Sequence, residues 1–158
     1  MPSLLLEKLV KEVRRYQNRD FLHAAMAVCA ITAYSDGEVS IQERYSIDYA
    51  IDNIEALKDF DPVRAIEILD DYIYLLKAEQ SAENQDRSEG AKNELYKKIK
   101  VFEGNYKKSR TLLRVAHLII SADRDIDPRE EKEFAMICNL LGLEAKYLWK
   151  QISAQKAL

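Results

Sequence analysis

Asp36-Gly37-Glu38-Val39-Ser40-Ile41-Gln42-Glu43 and Asp123-Arg124-Asp125-Ile126-Asp127-Pro128-Arg129-Glu130 follow one acidic pattern. Each reads Asp, any residue, acid, β-branched apolar residue, short oxygen side chain, two residues, Glu. From Asp36 to Asp123 and from Glu43 to Glu130 the offset is 87 residues. Each copy follows an apolar run with helical spacing and precedes a more polar one. Such a chain is constrained to build a buried helix, an acidic loop and a more exposed helix, twice. The pattern implies internal duplication and a surface rich in hard oxygen ligands.

Helical periodicity organises the rest. Leu4, Leu5, Leu9 and Val13 mark one stripe of a first helix over about 3–17, whose other face carries Glu7, Lys8, Lys11, Glu12, Arg14 and Arg15. Asn18-Arg19-Asp20 reads as a break, with Asp20 as N-cap of a second helix to Tyr34. That second helix is apolar almost all round and should be central. Ser40-x-x-Glu43 reads as a capping box opening a third helix to about Leu57. Asp61-Pro62 opens a fourth over Val63 to about Glu79. Residues 80–90 lack apolar anchors and read as an exposed connection. Helices over about 90–103 and 108–122 follow, the latter the counterpart of the second. A seventh starts at Asp127-Pro128 and ends at Leu141-Gly142. A short last one covers about Glu144–Ile152 and carries Trp149. The expected fold is all-α: one domain over 1–158, a bundle of about seven to eight helices with two pseudo-symmetric halves, about 20–80 and 90–152.

Composition supports this class and narrows the function. Only 4 Gly and 3 Pro leave too little turn punctuation for a sheet-rich fold. A net charge of −3 supplies no overall attraction to nucleic acid or anionic lipid. No apolar run approaches the ~20 residues of a membrane span, and the N-terminal apolar stretch is too short for a secretory signal. Cys29 and Cys138 sit in apolar helical contexts and fit a reducing compartment. A cytoplasmic protein is expected.

Clustered carboxylates repel one another and need a cation, helix N-termini, or water and salt to offset that repulsion. Asp and Glu suit calcium or magnesium better than softer ions. Candidate metal ligands are Asp36, Glu38 and Glu43, with Ser40 a weak one, and Asp123, Asp125, Asp127 and Glu130. These are not EF-hands: the motif spans eight residues and lacks the central Gly of that loop of about 12. Weak affinity follows. Helix capping alone would also select Ser40-x-x-Glu43 and Asp127-x-x-Glu130. The acidic face could equally dock a basic partner.

Other residues carry less. His23 and His117 lie in the central helices and read as core or groove residues. No Gly-rich phosphate loop or nucleophile–base set stands out, so no enzymatic activity is expected. Tyr45, Tyr49, Tyr72 and Tyr74 read as packing residues at the core edge. Lys92, Lys97, Lys98, Lys100, Lys107 and Lys108 read as mostly a solvated face.

Several stretches resemble the TerB family of tellurite-resistance proteins. They are Val13-Arg14-Arg15-Tyr16-Gln17-Asn18, Phe21, Ala27-Val28-Cys29-Ala30 leading into Ser35-Asp36-Gly37, and Leu57-Lys58-Asp59-Phe60-Asp61. Leu113-Arg114-Val115-Ala116 and Leu141-Gly142-Leu143 extend the resemblance through the second half, so that it spans about 12–150. It implies an all-helical, pseudo-symmetric cytoplasmic protein without established enzymatic activity, tied to tellurite and chemical stress. It also implies divalent-cation binding through the acidic residues named above, and a TerC-type membrane partner. Arg124 stands where the first motif has Gly37; a non-Gly residue disfavours a left-handed turn, and its guanidinium can neutralise the second cluster internally.

Overall fold

The computed structural model describes residues 3–35, 37–80, 90–122 and 128–144. Among them are six α-helices: α1 (Leu4–Ala33), α2 (Ile41–Asn53), α3 (Pro62–Gln80), α4 (Gly90–Lys100), α5 (Tyr106–Ile120) and α6 (Pro128–Leu140). A short 3-10 turn, Glu55–Leu57, follows α2. There is no strand among the described residues. The all-helical class is as expected. The expected last helix with Trp149 and most of the 80–90 connection lie outside the described residues.

Local chemistry sets most helix ends. Ser40 Oγ accepts from Glu43 N at 3.1 Å while Glu43 Oε1 accepts from Ser40 N at 2.9 Å, the reciprocal capping box. Asp61 Oδ1 accepts from Val63 N at 3.0 Å, with Pro62 as first helical residue. Asn105 caps α5 through Lys108 N at 3.1 Å. At the end of α6, Gly142 has φ 74°, Leu143 N donates to Cys138 O at 2.9 Å and Gly142 N to Asn139 O at 3.1 Å. This is a Schellman stop, and glycine is what the left-handed position requires.

One expected boundary is absent. Asn18-Arg19-Asp20 does not break the chain; α1 runs 30 residues without interruption. None of the three is Pro or Gly; Asn18 and Asp20 each cost a helix interior only about half a kcal/mol, and Arg19 is a good helix former. Tertiary contacts offset that cost. Asn18 Oδ1 accepts from Lys108 Nζ at 3.3 Å, and Phe21 packs edge-on against Phe102 at 5.6 Å. Asp20 is therefore a mid-helix residue rather than an N-cap.

The second half of α1 is the axis of the bundle. From Ala24 to Ala33 every residue is buried. Five alanines among these ten let α3, α4, α5 and α6 approach closely. The second central helix, α5, buries Leu112, Leu113, Val115, Ala116, Ile119 and Ile120. The motif offset recurs in the helices: α1 ends at Ala33 and α5 at Ile120, α2 spans Ile41–Asn53 and α6 Pro128–Leu140, each 87 residues apart. Burial keeps the same register, with Ile47 and Phe134, Ala50 and Ile137, and Ile51 and Cys138 all inside.

Candidate functional site

The first acidic loop leaves α1 through Tyr34 and Ser35. Gly37 (φ 91°) makes the turn, its N–H donating to Tyr34 O at 3.0 Å. Nothing stands within 4 Å of where its Cβ would be, so backbone conformation rather than crowding is what glycine serves here. The expected ligands then part. Glu38 is exposed, whereas Glu43, third residue of α2, is only 1% exposed and commits one oxygen to the capping box. Asp36 lies outside the described residues.

In the second loop Asp123, Arg124, Asp125 and Asp127 lie outside the described residues. Glu130 is again the third residue of its helix and again buried, at 4% exposure. Two motif glutamates thus occupy the same helical position and both turn inward. Among the described residues no three His, Cys, Asp or Glu side chains converge as a metal-holding group.

Spacing alone did not reveal a polar network around Glu133. Glu133, one helical turn after Glu130, is 9% exposed. It accepts from Lys92 Nζ and, at 2.8 Å, from Tyr96 Oη, both on α4. Glu79, near the end of α3, accepts from Ala91 N and so caps the start of α4. A cavity of about 250 Å³ is lined by Tyr34, Ser35, Glu79, Lys92 and Glu133 with Ile31 and Leu76. Ser35 adjoins Asp36, and Glu133 lies a turn from Glu130. The exit of α1 and the first turns of α6 therefore line one cavity of mixed polar and apolar surface. Burial, then the neighbouring Glu133 charge, pushes the Tyr96 hydroxyl well above its ordinary pKa and keeps it a donor.

Two further sequence readings need correction. Lys92 and Lys108 are partly buried rather than solvated: Lys92 serves Glu133, and Lys108 lies 4.6 Å from the Phe21 ring centroid. Burial, then Lys107, lowers the Lys108 pKa. Of the four tyrosines expected to pack, only Tyr72 is buried; Tyr45, Tyr49 and Tyr74 are exposed. The Tyr72 hydroxyl is pushed up to about 12 by burial and Asp71, and lies 2.6 Å from His23 Nδ1. Burial, then Lys98, lowers the His23 pKa, which favours the neutral ring beside that hydroxyl. Both cysteines are buried free thiols pushed up to about 12 by burial, which suits packing rather than nucleophilic or redox work.

Two helix pairs in one register, each flanking an acidic sequence motif, inside an all-helical body, can be set beside known proteins. A family model described as Tellurite resistance protein TerB matches residues 22–150. The chain belongs to the TerB family. A curated relative, the Tellurium resistance protein TerB of an Alcaligenes species, is 36% identical over 61 residues. That stretch is 39% of this chain and 50% of the relative, so the chain spans about half the length of the relative it matches. No solved structure matches the chain. The TerB match contains both acidic motifs, the α4–α6 network and the buried half of α1. It begins at Leu22, so the exposed residues Ser3–Gln17 precede it.

Proposed function

We propose that this TerB-family chain is a non-catalytic module of tellurite and chemical-stress resistance. It binds a divalent cation weakly through its two acidic interhelical loops and signals occupancy to a partner. Family membership and the name of the Alcaligenes relative support the tellurite link. The doubled motif carries the cation reading, since it places seven carboxylates in two eight-residue stretches. At neutral pH these repel, and a hard, oxygen-preferring ion such as calcium or magnesium would offset that repulsion. Glu43 is engaged in capping and Glu130 is buried at the equivalent position, so Asp36 and Glu38 supply the first loop's ligands and Asp123, Asp125 and Asp127 the second's. The working location is the cytoplasm, and the partner is of the TerC membrane-protein type.

Titration calorimetry with calcium, magnesium, manganese and zinc tests this. A dissociation constant of about 0.1–1 mM is expected for at least one hard ion, as befits short open loops. Asp36→Asn with Glu38→Gln should abolish one class of site. No heat with any ion, together with an unchanged melting temperature, refutes the reading.

The burial of Glu43 in its own helix cap favours a second reading, a cation-independent scaffold whose acidic face docks a basic partner. Capture of that partner would ignore chelator and collapse at high salt.

A further inference from the structure

The first half of α1 is a helix whose apolar side no other described residue covers. Every residue from Ser3 to Gln17 is exposed. At about 100° per residue, Leu5, Leu9, Val13, Tyr16, Leu6 and Val10 fall within one arc of about 140°. Leu5 is 78% and Tyr16 80% exposed, far beyond what a core-facing stripe leaves to water. The opposite side faces the body: Arg15 Nε donates to Asp59 O at 2.7 Å, and Arg14 Nη1 lies 3.9 Å from Asp59 Oδ2. These contacts hold the apolar arc outward. The arc forms a convex ridge about 17 Å long from Leu5 to Tyr16, at 1.5 Å rise per residue.

Where the ridge meets the body, it meets cations. Tyr16 shares a shallow surface cavity of about 600 Å³ with Arg19, Lys97, Lys98 and Val101, and with the acids Asp20 and Glu94. The last turn of α4 carries Lys97, Lys98 and Lys100, and Val101 beyond it is 66% exposed. Residues 3–20 hold five basic and three acidic side chains; residues 94–101 hold three and one. Together they carry +4 in a chain of net −3, so the remainder carries −7. The overall charge hides this separation.

We propose that the outward ridge of α1 and the basic last turn of α4 form a peripheral docking surface for an anionic lipid bilayer. The ridge lies in the headgroup region while Arg19, Lys97, Lys98 and Lys100 meet lipid phosphates. No helix among the described residues is long and apolar enough to cross a membrane, so attachment is at the surface. A convex ridge with cations at its foot suits a fluid anionic surface. A second copy fits less well, because the stripe spans two heptads where a coiled coil needs about three or four, and pairing would bring like charges together. The proposal is independent of the acidic loops.

Vesicle co-sedimentation of the whole chain in chelator tests it. Vesicles of phosphatidylcholine are compared with vesicles containing one-third phosphatidylglycerol. Binding to the anionic vesicles should be at least ~10-fold tighter and weaken with salt. Leu9→Glu with Val13→Glu should reduce it ~10-fold or more. Both sites are exposed, so the melting temperature should hold. Lys97→Glu with Lys100→Glu should remove the preference for anionic lipid. Three results overturn the proposal. One is no binding to either vesicle, as when the chain's own residues 145–158 cover the ridge. Another is a lipid-free dimer that Leu9→Glu with Val13→Glu dissociates. The third is lipid binding indifferent to that double variant.

Discussion

Tyr96→Phe deletes one oxygen and should reveal what holds α4 against α6. The lost contact is a 2.8 Å hydrogen bond to the Glu133 carboxylate. Hydrogen bonds to charged groups contribute about 1.5–3 kcal/mol. The lower end applies, because Lys92 stays on the same carboxylate and its side chain is 40% exposed, so water reaches the site. A loss of about 1.5 kcal/mol is therefore expected, or about 3–6 °C in melting temperature for a chain of this size. Urea unfolding followed by circular dichroism measures it, with an unchanged denaturant slope. The control is Tyr74→Phe: Tyr74 is 71% exposed, so its variant should stay within about 0.5 kcal/mol of the parent. In a cycle with Glu133→Gln, the two losses should be non-additive by about 1 kcal/mol. The raised pKa adds a sign. The protonated hydroxyl contributes fully below the ordinary tyrosine value of about 10 and loses that contribution as pH rises above it. Tyr96→Phe should flatten this alkaline loss. A variant no weaker than the Tyr74→Phe control would refute the reasoning.

Two other perturbations test local supports of the fold. Ser40→Ala removes half of the capping box and should cost about 1 kcal/mol by urea unfolding, whereas Ser40→Gly should cost only a few tenths; equal losses would show that the cap is not the cause. His23 has a lowered pKa, so the stability it confers is complete above the ordinary histidine value of about 6.5 and is lost as pH falls below it. His23→Gln should reduce the drop in urea midpoint between neutral pH and about pH 5, and an unchanged drop would sink that assignment.

The legible parts of the fold are those governed by residues close in sequence. The Asp61-Pro62 start, the Ser40–Glu43 capping box and the Gly142 stop each depend on partners within five positions, and all three were readable. The break assigned to Asn18-Arg19-Asp20 failed because weak local preferences were outweighed by contacts to Lys108 and Phe102, some 80–90 residues away. The site was legible only in part. The motifs themselves were plain, but the opposite fates of Glu38, exposed in the loop, and Glu43, buried in the first turn of α2, depend on how α2 docks on the body. The Lys92–Glu133–Tyr96 network left no trace beyond Glu133 sharing a helical face with Glu130.

Read alone, the chain determined its helical class, its two buried helices and most of the described caps. Those follow from hydrophobic period and from hydrogen bonds within a turn or so. Packing decided three other things: that α1 continues through its polar stretch, that both motif glutamates turn inward, and that among the described residues the first half of α1 leaves its apolar side exposed. Each depends on the neighbour that helix angles and long-range contacts bring to a given face, which no short window of residues encodes.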